Sequence, residues 1–132
     1  MIRKKIINPE RVRRINGSFS FIPHRFLTDG FLTSLTQQEI LLYIFLVLVS
    51  DRHGLSYYAY DSICSYLQLA IDDYIEARDG LIKKDLIASD GTLFQVLDLP
   101  AKPANQPPLR KAMHRSIAQL IGKSLKENDN DR

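Results

Sequence analysis

The sequence predicts a small, mainly α-helical domain closed by a β-hairpin, an α+β class, with a basic arm before it and an amphipathic helix after a proline-rich linker. Three observations predict it. A capping-box signal, Thr36-Gln37-Gln38-Glu39, opens an apolar run from Ile40 to Val49. Two further stretches carry apolar residues at spacings of three and four. An Asp90-Gly91 pair separates two short runs of strand character. The length of 132 residues suits a single domain. A chain with 45% hydrophobic and 25% charged residues is not wholly disordered, collagen-like or coiled-coil.

Residues 1–17 read as an extended arm punctuated by Gly17. Ser18-Phe19-Ser20-Phe21 alternates polar and aromatic side chains, which predicts a short strand or a packed extended segment, ended by Pro23. Arg25 to Leu32 is expected to form a short helix interrupted at Asp29-Gly30. The helix capped by Thr36 is apolar on every face from Ile40 to Val49, so the domain or a partner must enclose it. Polar Ser50 to Gly54 ends it, and Leu55 to Tyr58 reads as a strand.

Tyr60, Ile63, Cys64 and Leu67 mark one face of a helix over about Tyr60 to Gln68. Tyr74, Ala77 and Leu81 mark the next, over about Ile71 to Lys84. Its early Asp72 and Asp73 and its late Lys83 and Lys84 both suit the helix macrodipole. Leu86 to Ser89 and Thr92 to Leu97 then form the hairpin, with Asp-Gly as a type I′ turn. Pro100 closes a domain spanning residues 18–100. Residues 101–108, with three prolines, read as an extended linker. Beyond it Leu109, Met113, Ile117, Leu120, Ile121 and Leu125 form a helical stripe within residues 109–127, and residues 128–132 are expected to be disordered.

The net charge of +3 is unevenly placed. Residues 1–14 hold Arg3, Lys4, Lys5, Arg11, Arg13 and Arg14 against Glu10 alone. Residues 15–100 hold five basic and eleven acidic groups, and residues 101–132 seven basic and three acidic. An acidic body between two basic ends suggests a polyanion such as nucleic acid as partner, although charged ends also serve solubility. The single cysteine, Cys64, forms no intramolecular disulfide, and the protein is expected to be cytoplasmic. The apolar run of ten residues is half the length of a membrane span. His24, His53 and His114 are far apart, and no zinc spacing or phosphate-cradling glycine loop is present. The reading is therefore non-enzymatic: no cofactor, no metal, no small-molecule ligand and no membrane partner is expected.

The order helix, strand, helix, tight turn, helix, hairpin resembles a winged helix-turn-helix. Bacterial members often show an Ile-Ala step, Leu-x-Leu-Ser, a Thr-Val pair, Ala and Leu, then Gly-Leu-Ile before the wing. The matching residues here are Ile63-Cys64, Leu67-Gln68-Leu69-Ala70, Asp73-Tyr74, Ala77, Leu81 and Asp85-Leu86-Ile87. Over about Thr36 to Leu99 the chain is similar to the winged-helix modules of replication-initiation and primosome proteins and of mobile-element accessory proteins. That resemblance implies DNA binding in replication, transposition or transcription control. Ala70 departs from it by losing the capping Ser. Asp85 stands for a Gly, and Asp tolerates the left-handed conformation better than most residues.

The resemblance turns the start of the helix at Ile71 towards the major groove, and there the chain departs most. Asp72, Asp73, Glu76 and Asp79 would face phosphates, and the wing tip, Ser89 to Thr92, has no cation. The DNA contacts are therefore assigned mainly to Arg3, Lys4, Lys5, Arg11, Arg13 and Arg14. Arg78, Lys83 and Lys84 are weaker candidates, because salt bridges to Asp79 or Asp85 account for them equally well. The alternative is a protein-interaction module whose acidic face, Asp72, Asp73, Glu76 and Asp79, docks a basic partner, or which self-associates through the apolar helix as a homodimer. Tyr57, Tyr58, Tyr60, Tyr66 and Tyr74 read as core aromatics before base-stacking ones, and Cys64 as packing.

Overall fold

The computed structural model describes residues 3–104. The expected helix at 109–127, the tail at 128–132 and the end of the linker at 105–108 lie outside the described residues, as do residues 1 and 2. The described chain is an α+β fold of four helices and one three-stranded antiparallel sheet. Its order is α1 (Arg25–Thr28), α2 (Gln37–Val49), β1 (Leu55–Tyr57), α3 (Tyr60–Leu67), α4 (Ile71–Lys83), β2 (Ile87–Ser89) and β3 (Leu93–Val96). Short 3-10 turns lie at Pro9–Arg11 and Leu32–Ser34.

Helix α2 starts where the sequence expects. Thr36 Oγ1 accepts from the Glu39 N–H at 3.2 Å, and Glu39 Oε1 accepts from the Thr36 N–H at 2.8 Å. This reciprocal pair satisfies two of the N–H groups that a helix start leaves open. Leu42, Tyr43, Phe45, Leu46 and Val47 are buried, chiefly against α4 and β3. The described domain does not enclose every face of α2, because Leu41, Ile44 and Leu48 form an exposed stripe.

Helix α3 ends on Gln68 in the left-handed conformation, φ 55°, which turns the chain sharply into α4. Ala70 occupies the N-cap of α4 with no side-chain hydrogen bond, as its identity predicts. Tyr74, Ala77 and Leu81 form the inward stripe of α4, and with Leu46, Ile63, Leu86 and Phe94 they build the core. Asp85 leaves α4 at φ 64°, so the chain tolerates Asp where the resemblance expects Gly.

In the sheet β3 lies between β1 and β2, with Ser56 opposite Phe94 and Ile87 opposite Val96. Gly54 has φ +83°, and a Cβ there would collide with the Val96 carbonyl, so the start of β1 requires glycine. The hairpin forms, but not through a type I′ turn. Ser89 pairs with Phe94 and the Asp90 N–H donates to the Leu93 carbonyl at 3.1 Å, so the chain reverses at Gly91 and Thr92. Gly91 has positive φ there and Asp90 does not, while a type I′ turn needs both.

Ser18 to Phe21 is neither a strand nor packed. Ser20 Oγ donates to the Leu48 carbonyl at 3.5 Å, while Phe19 and Phe21 are exposed. Alternation fixes which residues share a side, but not whether another element covers that side. No described helix is long and apolar enough to cross a membrane.

Candidate nucleic-acid interface

Every side chain from Arg3 to Arg14 is exposed. Pro9–Arg11 forms the one turn of 3-10 helix in this stretch, started by Asn8 Oδ1 accepting from the Glu10 N–H at 3.2 Å. Among the described residues the ion pairs are Arg25–Asp29, Arg78–Asp79 and Lys84–Glu39, and none draws on the arm. Arg3, Lys4, Lys5, Arg11, Arg13 and Arg14 therefore stand on one short exposed segment with their charges facing water.

The weaker candidates are placed differently. Lys84 points inward, with Nζ 2.7 Å from Glu39 Oε1 and 2.8 Å from the Ser34 carbonyl. Both partners of this ion pair are largely buried. Lys84 therefore ties the end of α4 to the start of α2 and cannot face a phosphate. Its partner is Glu39, 45 residues away, and neither Asp79 nor Asp85. Arg78 does pair with Asp79, at 3.1 Å, and its guanidinium stacks over the Tyr74 ring at 5.8 Å. Lys83 is exposed.

Of the acidic groups, Asp72, Glu76 and Asp79 are exposed and Asp73 is half-buried. Their spacings of four and three put Asp72, Glu76 and Asp79 on one face. Half-exposed Ile71, Ile75 and Ile82 run alongside as an apolar edge. A surface hollow of about 400 Å³, lined by Asp73, Glu76 and Asp79 with Thr36 and Gln38, lies beside the junction of α4 with the start of α2.

A second hollow of about 230 Å³ lies elsewhere, between Phe19, Phe21, Tyr43 and the loop at Asp51. The Asp51–His53 proximity there is structural. Asp51 Oδ1 accepts from the backbone N–H groups of Leu55 at 3.0 Å and His53 at 2.8 Å, which holds its carboxyl below the ordinary range. Burial raises the Tyr43 hydroxyl. Burial also raises the Tyr74 hydroxyl, partly opposed by Arg78. Burial and then Asp61 raise the Cys64 thiol, consistent with a packing cysteine. Tyr58 and Tyr74 join the core, whereas Tyr57, Tyr60 and Tyr66 stay exposed, Tyr66 resting its ring 5.5 Å from Phe45.

Sequence reading missed the Lys84–Glu39–Ser34 junction, which joins residues dozens of positions apart. It allowed a free surface on α2 without locating it, since an all-apolar run gives no sign of which face lacks a neighbour. No family model, no curated protein and no solved structure matches the chain.

Proposed function

We propose that this chain is a winged-helix DNA-binding protein whose basic arm supplies the grip on phosphates, acting as an accessory factor in bacterial replication, transposition or transcription control. The order of α2, β1, α3, α4 and the hairpin supports the winged-helix reading, as does the tight turn at Gln68 between α3 and α4. The observation that carries the DNA reading is the arm, where six cations are exposed and outside every described ion pair. Such a segment releases counterions when it follows a nucleic-acid backbone, or enters a minor groove as arms do beside other helix-turn-helix domains. The outer face of α4 presents carboxylates, so it adds nothing to that affinity.

The test is fluorescence anisotropy with random duplex DNA over a salt series. Each neutralised phosphate contributes about −0.9 to the slope of log K against log salt. Arg11→Ala, Arg13→Ala and Arg14→Ala together should flatten the slope by about 2 to 3 units. An unchanged slope refutes the arm's role.

A second reading is favoured by the composition of the α4 outer face. Carboxylates flanked by half-exposed isoleucines suit a protein surface that docks a basic amphipathic segment.

A further inference from the structure

One apolar face has no cover among the described residues. On α2, Leu41, Ile44 and Leu48 are 44%, 39% and 69% exposed, while the buried residues of the helix face chiefly α4 and β3. Phe19 and Phe21 extend this face past the end of α2, at 66% and 74% exposed. With Leu48 they line a surface hollow of about 720 Å³, and Ser20 between them donates to the Leu48 carbonyl at 3.5 Å.

Three properties of the face bear on its occupant. The first is area. At those exposures the five side chains present about 550 Å² of apolar surface. A standard interface takes about 800 Å² from each partner, of which about 57%, or roughly 450 Å², is apolar. The second is charge. No charged residue occurs from Ile40 to Val49 or from Ser18 to Phe21. Two copies meeting about a two-fold axis set like against like, which this face tolerates and the carboxylate face of α4 does not. The third is spacing. Leu41, Ile44 and Leu48 follow Gln37 at intervals of four, three and four, the seam by which one helix packs along another.

We propose that the chain is a two-fold dimer joined through this face. Helix α2 packs on α2 of a second copy, with Ile44 at the centre of the seam and Phe19 and Phe21 extending it. Ile44 lies between Leu41 and Leu48, so it meets its counterpart whichever way the two helices run. The hollow beside Leu48 receives apolar side chains of the other copy. The dimer buries what the domain alone leaves in water, and it carries two basic arms. It goes beyond the DNA-binding reading and does not depend on it.

The test is sedimentation velocity of the full chain over a wide range of concentration. A reversible monomer–dimer equilibrium is expected. Ile44→Glu and Ile44→Lys, each alone, should shift it to monomer, because like charges then face each other across the axis. Mixed in equal amounts the two variants should dimerise again, since Glu meets Lys only in the mixed pair. A full chain that stays monomeric at every concentration overturns the proposal. So do dimers that persist in both variants, and so do variants that stay monomeric when mixed. If either Ile44 variant fails to fold by circular dichroism, Phe19→Ser, Phe21→Ser and Leu48→Gln are made together at the three most exposed positions. Their loss should raise the dissociation constant of the dimer at least about tenfold, and an unchanged constant overturns the proposal. No nucleic acid enters either experiment, so a failure here is distinct from failure of the DNA-binding reading.

Discussion

The cations of the arm and Lys84 stand in opposite surroundings. On the arm, Arg3 to Arg14 are exposed and outside every described ion pair. At the junction of α2 and α4, Lys84 is enclosed between Glu39 and the Ser34 carbonyl. The side-chain chemistry is similar, but the dielectric around it is not. A cation in water is free to exchange its counterions for phosphates. A cation under a helix junction is fixed by the penalty of leaving either charge unpaired there. A basic residue is therefore a candidate for binding only once its surroundings are known.

The sharpest way to break the comparison is at the junction. Lys84→Met leaves the buried Glu39 carboxylate without its cation, and should destabilise the fold by about 3 to 5 kcal/mol, measured by urea unfolding. Glu39→Leu with Lys84→Met removes both charges. It should recover most of that loss, leaving about 1 kcal/mol for the missing cap. If Lys84→Met alone is neutral, the junction is a surface pair and the contrast with the arm disappears.

The next effect in size comes from Gly80, which faces the same carboxylate. A Cβ on Gly80 would collide with Glu39 Oε2, while Oε1 is held by the Thr36 N–H and Lys84 Nζ. Alanine usually improves a helix interior by about 1 kcal/mol over glycine. Here Gly80→Ala should instead cost about 1 to 3 kcal/mol through overpacking. In a Glu39→Ala background the sign should reverse, and a stabilising Gly80→Ala in the unaltered chain would mean that the carboxylate moves aside freely. A smaller gain is expected at the other end of α4. Ala70→Ser supplies the missing N-cap acceptor and should stabilise by about 1 kcal/mol, read as a higher urea midpoint with an unchanged slope.

These sites also show what the sequence made legible. Thr36, Glu39 and Ala70 act within one turn, so capping chemistry could be read from their spacing. The start and end of α4 followed from its inward stripe and its charges. The Asp85 turn followed from the resemblance, with Asp among the few residue types after Gly that tolerate it. The Lys84–Glu39 pair and the need for Gly80 were invisible, because both arise where two helices 45 positions apart in sequence meet. The hairpin turn was misread because Asp-Gly is compatible with more than one register, and here Asp90 pairs with Leu93 while Gly91 alone takes positive φ. At the candidate site, the arm's charges were legible as a cluster. Their exposure, and the burial of Lys84, depended on the tertiary fold.

On the arm itself the smallest stability effect is expected, and it sharpens the contrast most. Arg11→Ala, Arg13→Ala and Arg14→Ala remove three charges that touch no buried group, so unfolding free energy should change by less than about 0.5 kcal/mol. The same variant should show the flattened salt dependence of DNA binding described above. That combination separates binding from folding, because a residue holding the fold together would lower both. A stability loss comparable to that of Lys84→Met would place the arm against the body, where its cations would already be engaged and phosphates could not compete for them.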